Sequence, residues 1–297
     1  MMRIADTAIN NQFLNTQLQN NLKLNKVTEQ IGTQSSINRF SDDPIAAAKL
    51  ESVEKQMKIN EQYITNGNNV KDALGKYETH AETLVSISNE INELLLQGSN
   101  QTLDAEGRKG IVNEINSLKD EMLTIFNKQE DGRYIFSGSN TRTPAIQYTE
   151  EGGYTIGSNG EQQNTVIGEN STIQSNVTVQ NMLTSVDFLN DIDAAVLEMS
   201  NESSEYSATL EAAIDSTQTA ISGLQTGWSN LGNRLNTVDR QIATSEDLNL
   251  FSENVRLELT AVDNAQASFE LTQTKAAIEM SQKAFTYIRD SNMFDLI

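Results

Sequence analysis

The chain has 297 residues, of which 37% are hydrophobic, 6% aromatic and 21% charged, with a formal net charge of −20. That balance is polar for one globule, suits long helices with narrow apolar stripes, and argues against nucleic acid as a partner. Cysteine is absent, which excludes a disulfide scaffold, thiolate metal sites and cysteine nucleophiles, and no apolar run approaches the roughly 18 residues of a membrane span.

The opening residues, Met1 to Gln12, lack the apolar stretch of a cleaved secretory signal, so the expected choices are cytoplasmic residence or an export route that reads no such signal. From Ile4 to Ile37, Phe13, Leu14, Leu18, Leu22, Leu24, Val27 and Ile31 recur at helical spacing over a broad arc, with Asn and Gln between them. Such a helix has weak intrinsic drive and needs a partner. It is predicted to stop near Ser41, because Pro44 disfavours a helical residue before it. Asp43 and Pro44 read as the N-cap and first position of the next helix.

That helix carries a seam of Val70, Leu74, Tyr77, Ala81, Leu84, Ser88, Ile91 and Leu95 at alternating four- and three-residue steps, ended by Gly98-Ser99-Asn100. A third helix repeats the spacing through Ile111, Ile115, Leu118, Met122 and Ile125. After Gly132 the period changes. Residues 133–184 are rich in Thr, Gly, Ser and Asn, and the pieces Tyr154-Thr155-Ile156, Thr165-Val166-Ile167 and Val177-Thr178-Val179 predict short strands.

The strongest pattern follows: Leu210, Ile214, Thr217, Ile221, Leu224, Trp228, Leu231, Leu235, Val238 and Ile242, nine apolar residues in ten seam positions. As a helix this stretch would run about 50 Å. A last helical stretch is read through Val255, Leu259, Val262, Gln266, Phe269, Gln273, Ala276 and Met280, with Phe285 and Tyr287 near its end.

These patterns predict a mainly α fold with a β-rich insertion, its N- and C-terminal helices lying side by side as a coiled coil. The expected divisions are an N-terminal assembly helix (1–43), a helical rod in two parts (44–132 and 205–248), a β-rich outer domain (133–204) and a C-terminal assembly helix (249–297). Phe13, Leu14, Leu18, Leu22, Val27, Ile31, Val255, Leu259, Val262, Phe269, Ala276, Met280, Phe285 and Tyr287 are the expected assembly and packing residues. Leu224, Trp228, Leu231, Leu235 and Val238 are the expected rod core, and Asp43 with Pro44 the helix cap. With two glutamines read into its seam, the last helix is weak, so both ends are expected to order only when neighbouring copies supply contact.

Charge follows the same division. Residues 1–65 balance seven basic against seven acidic side chains, residues 250–297 sum to −3, and residues 66–249 carry −17. Near-neutral ends can be crowded together, whereas an acidic middle favours solvent.

Few residues invite a chemical reading. Adjacent Asp42 and Asp43 at a helix start do not converge on a metal, and capping explains them. His80, the single histidine, sits just outside the Tyr77–Ala81–Leu84 seam and reads as a solvated helix-face residue, with no nucleophile beside it. The Asn-x-Ser/Thr triplets at Asn170 and Asn176 are expected by chance in such a segment, and residues 132–160 hold no phosphate-binding fingerprint. No catalytic, cofactor or metal site is expected, and the chain does not read as an enzyme.

Ile37-Asn38-Arg39-Phe40-Ser41-Asp42-Asp43-Pro44, after an Asn/Gln/Leu-rich opening helix, resembles the N-terminal signature of the flagellin superfamily. The continuation Pro44-Ile45-Ala46-Ala47-Ala48 departs from flagellins proper and is similar to the family of flagellar hook-associated protein 3. Gly132-Arg133-Tyr134-Ile135-Phe136-Ser137-Gly138, leading to Thr143-Pro144, resembles that family's entry into its β domain, and the closing Phe294-Asp295-Leu296-Ile297 fits it too. Met2 aligns with the family's usual start. The resemblance covers roughly residues 2–80, 105–145 and 205–297 and leaves 145–204 outside it.

The resemblance implies coiled terminal helices, a helical rod and an outer β domain. It also implies export through the flagellum's own channel with the help of an export chaperone, and a place at the junction of hook and filament. Its implied partners are hook-associated protein 1, flagellin and copies of the chain itself in a ring. Two alternatives stay open at this point: a flagellin or minor filament protein, and a cytoplasmic coiled-coil adaptor.

Overall fold

The structure, a computed structural model, describes residues 2–100, 104–201 and 206–294, the side chains of 2–6, Ile9, Tyr206 and 289–294 excepted. Met1 and, in the closing motif, Asp295, Leu296 and Ile297 lie outside the described residues. The elements in chain order begin with helices α1 (Met2–Thr33), α2 (Pro44–Gly98) and α3 (Ala105–Phe126). Strands β1 (Gln129–Glu130), β2 (Arg133–Tyr134), β3 (Ile146–Thr149), β4 (Gly153–Ile156), β5 (Asn164–Gly168) and β6 (Ser171–Gln174) follow. Helices α4 (Val179–Met182), α5 (Asp187–Asn201), α6 (Tyr206–Thr260) and α7 (Asn264–Phe294) close the chain. The mainly helical class with a β-rich insertion is what the sequence patterns predict. Among the described residues the strands pair as three antiparallel hairpins, β1–β2, β3–β4 and β5–β6.

The chain folds as two compact units, residues 1–59 with 248–297, and residues 60–247. In the second unit α2 runs antiparallel to α6. Lys71 pairs with Asp239 at 2.7 Å, and at Gly67 a β-carbon would lie 2.7 Å from the Ile242 side chain, so the glycine is what lets the helices approach there. The α2 seam is buried at Val70, Leu74, Ala81, Leu84, Ser88, Ile91 and Leu95, with Tyr77 half-buried. On α6 the buried positions include Leu210, Thr217, Ile221, Leu224, Leu231 and Val238, while Trp228 and Leu235 are half-buried against the same core.

Helix α3 buries Ile115 and Met122 of its predicted seam together with Val112, Lys119 and Phe126, while the seam residues Ile111, Leu118 and Ile125 are half-buried against the same core. The face is rotated because α3 also packs on α5. Lys119 can enter that face because it is ion-paired with Asp193 and lies 5.7 Å from the centre of the Tyr154 ring. Burial lowers the Lys119 ammonium pKa, but Asp193 more than compensates and holds it above its ordinary value.

Residues 133–204, read as β-rich, contain α5, which buries Phe188, Leu189, Ile192, Ala195, Val196 and Met199. Val177-Thr178-Val179 is not a strand: Thr178 caps α4, and α4 lies so close to α6 that a β-carbon at Gly223 would meet the Met182 carbonyl at 2.6 Å. Phe136, fully buried, joins the hairpins to the helices, touching Tyr77, Phe126 and His80 edge-on at ring-centre distances of 5.3, 6.1 and 6.2 Å. The Tyr77 hydroxyl donates to the Ile135 carbonyl at 2.8 Å. His80 is therefore half-buried against an aromatic, not a solvated face residue as its sequence position suggests. Burial, and then Lys128, push its pKa below the ordinary value, against a smaller opposing effect of Glu130.

Two outcomes follow for thermal melts. Leu231→Ala removes a side chain that is 1% exposed and should cost about 2–5 kcal/mol, with half-buried Leu235→Ala costing less. A histidine whose folded pKa is depressed contributes stability that is present above its unfolded value of 6.5 and is lost as the pH falls through the lower folded value. Melting temperature should therefore drop between pH 7 and pH 5, and His80→Phe should flatten that drop, since His80 is the only side chain whose ordinary pKa lies in that range.

Candidate assembly surface

In the unit of residues 1–59 and 248–297, α1 packs antiparallel on α7. Phe13 stacks on Phe285 at 4.1 Å between ring centres at one end, and Asn264 Nδ2 donates to Gln34 Oε1 at 3.4 Å at the other. The facing positions step by four and three residues: Phe13, Gln17, Asn20, Leu24, Val27 and Ile31 on α1, with Ala267, Leu271, Thr274, Ile278, Ser281 and Phe285 on α7. Only Val27, Ala267 and Thr274 on these two helices are fully buried among the described residues. Gln17 Nε2 is buried with no hydrogen-bond partner. The pair is thin and partly polar inside.

This seam is offset by one or two residues from the predicted line as far as Met280, and it includes the predicted Phe285. Gln266, Phe269, Gln273, Ala276 and Met280 are exposed, and so is Tyr287. Val255 and Leu259 are half-buried on α6, while Val262 falls in a break at residues 261–263 where the sequence predicts continuous helix. Asp263 starts the next helix there: its Oδ1 accepts from the amides of Ala265 and Gln266 at 3.0 Å each and so caps α7. On α1, Leu14, Leu18 and Leu22, four residues apart, point outward and are all more than half exposed. Thirteen of the seventeen large apolar side chains exposed among the described residues belong to this unit, which holds little more than a third of the chain. Exposed apolar stripes of this kind are characteristic of interaction sites.

The turn between α1 and α2 is built from side chains. Helix α1 ends at Thr33, eight residues before the predicted stop, and Gln34 takes a left-handed φ of 55°. Short polar residues offer the backbone an alternative to helix here. Ser35 Oγ donates to the Ile37 carbonyl, Asn38 Nδ2 to that of Ser35, and Gln30 Nε2 to that of Ser36. The Ser36 amide donates to the Thr260 carbonyl at 2.9 Å and ties the turn to the end of α6.

Asp42 is the centre of this turn. Its Oδ2 accepts from the amides of Arg39 at 2.9 Å and Asn38 at 3.2 Å, and its Oδ1 lies 3.1 Å from the Lys26 ammonium. Burial works to raise the Asp42 carboxyl, but the Lys26 ammonium and the two amides outweigh it and hold it below its ordinary value. Asp43 Oδ1 accepts from the amides of Ile45 and Ala46 at 3.0 Å each, with Pro44 as the first residue of α2. Neither carboxylate is spare for a metal, and no group of His, Asp or Glu among the described residues could hold one. No helix among the described residues is long and apolar enough to cross a membrane.

Charge separates with the units. Residues 60–247 carry a formal −18 and the remaining residues −2. The surface with the exposed apolar stripe is thus also the one on which like-charge repulsion between copies is small.

Residues 4–141 match the family described as the bacterial flagellin N-terminal helical region. Flagellar hook-associated protein 3 of Escherichia coli (strain K12) is 25% identical over 293 residues, spanning 91% of this chain and 92% of that protein. Its Salmonella typhimurium counterpart is 23% identical over 320 residues, spanning 99% of each. A solved structure of a protein described as a flagellar hook-associated protein from Vibrio parahaemolyticus aligns with a TM-score of 0.70 and 27% identity, covering 74% of this chain and all of that one.

Asp42→Ala leaves two turn amides and the Lys26 ammonium without their acceptor, a loss of about 2 kcal/mol for charge-assisted bonds in a partly buried site. Trypsin should then cut after Arg39 markedly faster than in the unaltered chain, while the melting of the 60–247 unit stays put. Because the folded carboxyl pKa is depressed, the turn's contribution is complete above the ordinary aspartate value of 3.8 and is lost as the pH falls through the lower folded value.

Proposed function

Because this chain is a homologue of flagellar hook-associated protein 3 and a structural component of the flagellum, we propose that it forms the junction between hook and filament by assembling with copies of itself. In this reading it docks on hook-associated protein 1 at one side and offers flagellin a surface on the other. It leaves the cell through the flagellar export apparatus, accompanied there by an export chaperone. Its work is mechanical and involves no reaction.

One observation supports the assembly role above the others, the outward apolar stripe of Leu14, Leu18 and Leu22 on α1 with Phe269, Met280 and Tyr287 on α7. A pair of helices that buries so little within one chain and exposes so much gains its stability from neighbours. The expected assembly residues divide into two sets in this reading. Phe13, Val27, Ile31 and Phe285 hold α1 to α7, and the outward set meets other subunits. The near-neutral charge of this unit allows such crowding, while the acidic 60–247 unit is suited to water.

Deletion of the gene should leave hooks assembled without filaments, and flagellin should accumulate in the medium. Electron microscopy of the cells and an immunoblot of the culture supernatant check both. Normal filaments in the deletion strain would overturn the junction role. Recovery of the unaltered chain from cytosol alone, with none in sheared flagella, would favour the coiled-coil adaptor instead.

A further inference from the structure

When glycine follows asparagine, the glycine amide can attack the preceding side chain, because no β-carbon blocks its approach. The chain has two such pairs, Asn66-Gly67 and Asn159-Gly160. Gly67 lies inside α2, where the helix spends its amide on the backbone ladder. Gly160 lies in the irregular segment between β4 and β5 and is exposed. Its amide donates to no group among the described residues.

The backbone on either side of this free amide is nevertheless held. Gln180 Nε2 donates to the Ser158 carbonyl at 2.9 Å, and Asn176 Nδ2 donates to that of Glu161 at 3.0 Å. The Asn159 side chain is gripped at both ends by Ser139. Its Oδ1 accepts from the Ser139 amide at 2.9 Å, and its Nδ2 donates to Ser139 Oγ at 2.8 Å. Ser139 Oγ in turn donates to the Glu161 carboxylate. Gly138 makes this fit possible: its φ of 68° is left-handed, and a β-carbon there would lie 2.4 Å from Asn159 Oδ1.

Each contact has a chemical counterpart. An amide donating to Oδ1 polarises the side-chain carbonyl and stabilises the negative charge that develops on that oxygen when Cγ is attacked. A hydroxyl beside Nδ2 can turn and pass a proton to that nitrogen as it leaves. The attacking group is the next residue along the chain, so no binding step is needed. Asn66 bonds Gln62 and the Val166 carbonyl but has no free amide beside it.

We propose that Asn159 is a site of self-catalysed deamidation. The Gly160 nitrogen bonds to Asn159 Cγ and releases its proton to water. The Cγ–Nδ2 bond breaks, and Nδ2 leaves as ammonia with a proton from Ser139 Oγ, which water restores. Water then opens the cyclic imide at either carbonyl and leaves aspartate or isoaspartate at this position. The product has a carboxylate where Nδ2 had donated. Ser139 Oγ then stands between two carboxylates with one proton, so the bridge between the 137–143 turn and the 157–161 segment weakens as the chain ages. None of this depends on the assembly role proposed above.

The test uses the purified full-length chain, incubated folded in neutral buffer and followed by peptide mapping with mass detection of amide loss. Asn159 is expected to convert about tenfold faster than Asn66, with isoaspartate among its products. It is also expected to convert faster than in the same chain unfolded by denaturant. Ser139→Ala should slow the folded reaction about tenfold, and Ser139→Thr, which keeps the hydroxyl, should restore most of the rate. Retention of the Asn159 amide in the folded chain, or aspartate as the sole product, overturns the proposal. So does a Ser139→Ala rate equal to that of the unaltered chain, or faster conversion in the unfolded chain, since either leaves only the lability of the dipeptide. The comparison of folded with unfolded chain needs no variant and decides the matter if Ser139→Ala fails to fold.

Discussion

In the 60–247 unit, the packing of α2 against α6 is the contact from which the other elements take their positions. Two helices far apart in sequence run antiparallel over a seam where almost every inward side chain is apolar and buried. Gly67 admits Ile242, and Lys71 meets Asp239, which together fix how far one helix slides along the other. Once that register is set, α3 and α5 have one surface to cover, and the hairpins hang from Phe136 at its edge. Asn66 Nδ2 donates to the Val166 carbonyl at 2.8 Å, and Arg234 to that of Asn176 at 3.2 Å, so both helices also hold the segment around β5 and β6. A change in the seam is felt in all of these, whereas a change in a hairpin turn stays local.

The α1/α7 pair uses the same heptad logic with weaker material. Each ordered residue loses about 1–2 kcal/mol of backbone freedom, and the side chains that offset this loss must be buried to count. Where α2 buries Leu74, Leu84, Ile91 and Leu95 completely, α1 buries only Val27 and sets Gln17 and Asn20 beside half-buried Phe13, Leu24 and Ile31 in its seam. Polar seam residues fix register at the expense of stability. The difference is one of degree: one unit buries a continuous apolar core within the chain, and the other buries little of its apolar surface there.

The long apolar seams were legible in the sequence because nine apolar residues in ten seam positions leave one face to choose. The α7 seam was not, because α7 carries two overlapping apolar lines one or two residues apart. Phe269 and Met280 are the larger side chains, and they lie outside, while the smaller Ala267 and Thr274 lie inside. The inner line also holds Leu271, Ile278 and Phe285, so side-chain size alone does not tell the two lines apart. The early end of α1 was hidden for a different reason. A proline argument limits where a helix can run, but side-chain bonds from Ser35 and Asn38 ended it sooner. Helix α5 could have been found, since Phe188, Leu189, Ile192, Val196 and Met199 have helical spacing, but the Thr- and Gly-rich stretch before it drew the whole segment into one class. The burial of Lys119 had no signal of its own, because Asp193 is 74 residues away in the chain.

Exposure and charge together give the two units opposite behaviour toward copies of themselves. Residues 60–247 expose few large apolar side chains and carry −18, so approach between such surfaces is opposed and each stays in water. Residues 1–59 with 248–297 expose most of the large apolar side chains and carry −2, so association there meets little electrostatic resistance and gains from removing apolar surface from water. Had the charge been spread evenly, each copy would have brought a larger like charge to every contact. Had the apolar side chains been spread evenly, the acidic unit would have offered competing contacts with no fixed geometry. Keeping the two properties on different units places the apolar exposure where charge is low, which is the separation that the proposed assembly role calls for.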